Sequence, residues 1–94
     1  MAINFTTRVF KEGRTFVAHA IELDVSSCGG SKERAVKNLR EAVRLFLEEA
    51  EKLGTLDQIL REAGYRRNKQ NFDAPKLVSM QRVSLPLSLT DAKA

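Results

Sequence analysis

Residues 31–54 read SKERAVKNLREAVRLFLEEAEKLG, and this stretch decides the fold. Ala35, Val36, Leu39, Ala42, Val43, Phe46, Ala50 and Leu53 recur at the i, i+3, i+4, i+7 spacing of one helix face. The opposite face carries both signs of charge: Lys32, Arg34, Lys37, Arg40, Glu41, Arg44, Glu48, Glu49 and Lys52. Ser31 stands where its hydroxyl can accept a free amide proton of the first turn. Gly54 suits the left-handed position just past the last turn. A helix of roughly 23 residues at 1.5 Å each is about 34 Å long, enough to cross a small sheet. Its apolar face has to be buried, and the residues before it supply the partner.

Upstream, Ile3, Phe5, Thr7 and Val9 alternate with Asn4, Thr6 and Arg8, the period-two pattern of a strand over 3–9. Lys11, Glu12, Gly13 and Arg14 break it, and Gly13 can take the positive φ of a hairpin turn. A second strand is expected over 15–23, with Phe16, Ala18 and Ala20 on one face and Val17, His19, Ile21 and Leu23 on the other. Both faces are largely apolar, which places this strand at the centre of its sheet. A short third strand follows at 25–28 and closes at Gly29 and Gly30.

Downstream, Thr55 and Gln58 have the spacing of a capping box, and Leu56, Ile59, Leu60 and Ala63 form the stripe of a second, short helix ended by Gly64. Residues 66–75 read as polar and irregular. A last strand is expected over 76–87, where Pro86 lacks a ladder donor and marks the strand's end or an edge. Residues 88–94 read as a flexible tail. The order β-β-β-α-α-β implies an α+β fold: an antiparallel sheet of three to four strands, covered on one face by one long and one short helix. A chain of 94 residues makes one domain, read here as 1–87. Its small core and unpaired edges, at 3–9 or 77–85, lead us to expect a homodimer or higher homo-oligomer.

Composition narrows the function. A 43% hydrophobic, 30% charged chain is globular rather than disordered. Cys28 is its one cysteine, which excludes an intramolecular disulfide and a cysteine-rich metal framework. No leader-like start and no apolar run near the ~18 residues of a membrane span are visible, so a cytoplasmic protein without a membrane partner is expected. His19, the sole histidine, has no second His or Cys spaced to join it as a ligand. Glu22 and Asp24 share a strand face but are too few for a two-metal site. Gly29, Gly30 and Ser31 lack the spacing and lysine of a phosphate-binding loop. The expectation is no enzyme, no cofactor and no metal site.

One charge cluster stands out. Between Tyr65 and Arg82 the basic residues are Arg66, Arg67, Lys69, Lys76 and Arg82, against the single acid Asp73. Such an excess can meet nucleic acid or an acidic partner. Stacking aromatics are not interleaved with it, so the nucleic-acid contact expected is weak.

The segment from Phe16 and Ala18 through Glu22 and Leu23, then Gly29, Ser31, Ala35 and Leu39, resembles the HicB-like antitoxin family. That family's pattern is an aromatic-x-Ala strand, Glu-Leu, a Gly-x-Ser/Thr helix start and an Asn-Leu helix. The resemblance covers roughly 4–64, and Ile21 stands where the family commonly has proline. It implies a partial ribonuclease-H-like fold without catalytic acids, as an antitoxin or an orphan relative. It also implies a partner, a small RNA-cleaving HicA-type toxin whose active site is masked. Toxins of that kind are usually basic, as this chain is at a formal +4, so charge attraction does not drive the implied contact. The alternative reading is a nucleic-acid-binding module using the basic 66–82 segment.

Overall fold

Ser31 does cap the long helix. In the computed structural model, which describes residues 1–90, its hydroxyl accepts the Arg34 N–H at 3.1 Å from an extended backbone. The helix, α1 (Lys32–Leu53), ends at Gly54 with φ 76°. There the Gly54 and Thr55 amides donate to the Glu51 and Ala50 carbonyls at 3.0 and 2.9 Å. Both ends are closed by residues one turn away, which is why the helix bounds were legible.

The three strands before it are β1 (Thr7–Glu12), β2 (Thr15–Ala20) and β3 (Val25–Gly29), antiparallel in the order β1-β2-β3. Gly13, at φ 64°, turns β1 into β2. β2 is the central strand, as its two apolar faces require. One face buries Ala18 and Ala20 fully against Ala35, Leu39 and Val43 of α1. Leu39 is wholly buried; removing such a side chain from water contributes about 1.5–3 kcal/mol.

Several strand bounds shift. The first strand begins at Thr7 rather than at position 3: the Ile21 amide still donates to the Thr6 carbonyl at 2.9 Å in register with β2, but β2 itself ends at Ala20, so pairing goes no further. Ile3 and Phe5 then pack on the core from outside the sheet. The second strand stops at Ala20, where Asp24, at φ 55°, closes a turn over 21–24. That turn swings Leu23 into the core, off the face alternation had assigned to it.

The helix face is also corrected. Phe46 and Leu53, expected against the sheet, are 39% and 68% exposed, whereas Leu47 packs on the core. A 22-residue helix is about 33 Å long and a six-residue strand about 20 Å, so the C-terminal half of α1 overhangs. The short helix, α2 (Leu56–Glu62), buries Leu60. Its expected capping box is absent: the Thr55 hydroxyl donates backward to the Ala50 carbonyl at 3.3 Å, and Gln58 donates to Glu62.

The largest departure follows α2. The 66–75 stretch is a hairpin, β4 (Arg66–Asn68) and β5 (Asn71–Asp73), turned at Lys69 with φ 59°. It delivers Tyr65 and Phe72 into the core at 2% and 3% exposure. The strand expected over 76–87 is not formed; residues 76–90 are exposed and carry no regular structure. Of the expected tail, 91–94 lies outside the described residues. The result is α+β: a three-stranded sheet, one long and one short helix, and a small two-stranded sheet. No helix among the described residues is long and apolar enough to cross a membrane.

Candidate functional site

Because β2 turns Ala18 and Ala20 toward α1, alternation turns Val17 and His19 to the other side, which no helix or strand among the described residues covers. The register sets two rows across that open face: Phe10, Val17 and Cys28, and beside it Arg8, His19 and Ser26. Phe10 is 45% exposed, and the Arg8 guanidinium lies 5.4 Å from its ring centroid. The face thus presents an aromatic anchor braced by a cation on rigid strands.

His19 is a structural member of this face. Arg8 Nε donates to His19 Nδ1 at 3.0 Å, and a guanidinium can only donate, so Nδ1 carries a lone pair. Nε2 therefore bears the proton and donates to Asp24 Oδ1 at 2.8 Å. With both nitrogens committed, the imidazole has no free lone pair to serve Cys28, whose thiol is exposed on the same face. The Glu22 carboxylate is engaged elsewhere, accepting the Thr6 N–H and Oγ1–H, each at 2.7 Å. Burial pushes the Glu22 carboxyl up, but the Thr6 bonds outweigh it and hold it below its ordinary range. Glu22 and Asp24 thus serve different partners, and no group of three metal-ligating side chains occurs among the described residues.

The motif residues gather on the covered side. Ala18, Leu23, Ala35 and Leu39 belong to one buried cluster, with Phe16 packed against it. Gly29 lies beneath the first turn of α1, where a Cβ would meet the Ala35 nitrogen at 2.7 Å. Ser31 caps α1, and Asn38 donates to the Cys28 carbonyl at 2.8 Å, tying the helix to the β3 strand. These motif positions have structural tasks at the sheet–helix junction, while Glu22 holds the chain before β1 through Thr6.

The basic residues divide. Arg66, Arg67 and Lys69 share the exposed β4–β5 hairpin, while Lys76 and Arg82 lie on the extended 76–90 segment. Arg67 is already occupied: it bonds Asp57 at 2.9 Å and lies 5.2 Å from the Phe72 ring centroid. Phe10 was not singled out by sequence, because the expected strand ended at position 9, and Arg8 was read only as a residue of that strand's polar face. Carrying the alternation through to Glu12 would have placed Phe10 on the same face as Arg8. No protein-family model, no curated protein and no solved structure matches this chain.

Proposed function

We propose that this chain is a non-catalytic protein-binding module of the HicB-like antitoxin kind, or an orphan relative, whose partner is a small RNA-cleaving toxin. One observation carries this reading: the motif residues other than Glu22 gather at the sheet–helix junction, leaving the opposite sheet face open with Phe10 exposed on its β1 edge. Exposed aromatics with a neighbouring arginine are the residues that dominate protein interfaces. Both proteins being basic, the contact rests on Phe10 and Val17 rather than on charge. The activity proposed is masking: the toxin's active site is covered by the bound face, in the cytoplasm, and this chain contributes no chemistry.

The test is neutralisation. Co-expressed with a HicA-type toxin, the parent chain should restore growth, and the purified pair should bind. Phe10→Asp should abolish rescue and weaken binding at least about tenfold, a loss of roughly 1.4 kcal/mol, with an unchanged melting temperature. Binding by Phe10→Asp as tight as the parent's, or no binding by the parent, ends this reading. Arg66, Arg67 and Lys69 on one exposed hairpin favour a second reading, sequence-independent contact with nucleic acid. The engagement of Arg67 with Asp57 and Phe72 weakens it.

A further inference from the structure

Beyond the hairpin, alternation resumes without a partner. Val83, Leu85, Leu87 and Leu89 occupy every second position, separated by Ser84, Pro86 and Ser88. All four apolar side chains are between 67% and 80% exposed. The one hydrogen bond found within 76–90 among the described residues joins the side chains of Gln81 and Ser79. The segment is an arm: the radius of gyration is 17.0 Å, against about 12 Å for a compact chain of this length, and the longest extent is 54 Å. A stripe of large apolar side chains in water marks an interaction site.

The body has a matching vacancy. Where α1 overhangs the sheet, Ala42, Leu45, Phe46, Ala50, Leu53 and Ile59 line a groove of about 560 Å³. Leu45 and Leu53 are more than half exposed there, and Glu49 is the groove's one ionisable residue. The arm from Val83 to Leu89 has none. A second groove of about 860 Å³, between the N-terminal segment and α1, has an apolar floor that includes Ile3, Phe5, Val36 and Leu47, but charged side chains such as Lys37, Arg40, Arg44 and Glu48 line it as well, so it suits an uncharged strand less.

We propose that the 83–89 arm of a second copy lies in the Leu45–Phe46–Leu53 groove, and that reciprocal exchange closes a two-fold dimer. Two identical arm-to-groove contacts satisfy the symmetry of such a pair. The arm departs near Pro75, which packs on Gly64 at the end of α2 opposite Thr55, and the exposure of both arm and groove shows that the arm does not fill the groove of its own chain. Pro86 lacks the N–H that a central ladder position needs, so side-chain docking suits the arm better than joining a sheet. Asn38 also occupies the Cys28 carbonyl of the β3 strand.

This inference does not depend on the toxin-binding reading, because its readout is mass alone. Light scattering of the full chain at micromolar concentration should return twice the 10.6 kDa of one chain. Leu85→Asp with Leu87→Asp should halve that mass, and so, separately, should Leu45→Glu with Leu53→Glu. Far-UV circular dichroism should stay unchanged in both, since all four positions are exposed. A parent that scatters as one chain overturns the proposal. A groove variant that keeps the doubled mass shows arm pairing with arm, and an arm variant that keeps it shows another face; either result overturns the proposal too.

Discussion

Replacing Gly29 by alanine loads the one point where strand and helix backbones meet most closely. The added Cβ would sit 2.7 Å from the Ala35 nitrogen and 2.9 Å from both the Arg34 carbonyl carbon and Arg34 Cβ. Relaxed non-bonded contacts lie near 3.5–4.0 Å, so the start of α1 must retreat by roughly 1 Å. No rotamer relieves the clash, because the nearest atoms are backbone. Overpacking of this kind costs about 1–3 kcal/mol. Displacing the first turn also strains the bond from the Arg34 amide to Ser31, and losing such a cap costs about 1 kcal/mol. The sum, roughly 2–4 kcal/mol, is a large share of the about 5–14 kcal/mol expected for a domain of this length. The melting temperature followed by circular dichroism should fall by about 10 °C or more. Gly30→Ala is the matched control: its Cβ meets nothing within 4 Å, and its backbone is outside the left-handed region. That change should be neutral or stabilise by up to about 1 kcal/mol, by restricting the unfolded chain. A Gly29→Ala protein melting within about 2 °C of the parent, under half a kcal/mol on this scale, would refute the reasoning.

Leu39→Ala should cost about 2–5 kcal/mol in urea denaturation, and Phe46→Ala distinctly less. Equal losses would mean that the overhang of α1 is misplaced. Tyr65, the only tyrosine, donates to the Asn4 carbonyl at 2.5 Å; burial, then the charge of Glu22, pushes its pKa up to about 12. An absorbance titration should show phenolate forming near that value, and Glu22→Gln should lower it. The unfolded tyrosine loses its proton near about 10 while the folded one keeps it, so this group's stability is full below that pH and falls as pH rises toward 12. If the hairpin binds duplex DNA through three to five phosphates, the log–log salt slope should be roughly −3 to −4.5. Arg66→Ala, Arg67→Ala and Lys69→Ala together should then abolish binding, and a flat salt dependence removes that reading.

The sequence by itself determined α1, the central position of the middle strand and the burial of Leu39. Caps and turns are made by residues within a turn of one another, and the largely apolar 15–23 run matched a strand held between two others. Tertiary structure decided the rest. A 100° step defines which side of α1 is apolar, but the strands decide how far along it cover extends, so Leu47 is packed while Phe46 is not. The His19 tautomer depends on Arg8 and Asp24, which strand register and a left-handed turn bring to its two nitrogens. The alternation of 83–89 states that the segment can act as a strand, but pairing needs an edge. In this structure the segment pairs with no edge, while Tyr65 and Phe72 enter the core from a hairpin whose residues read as an irregular loop.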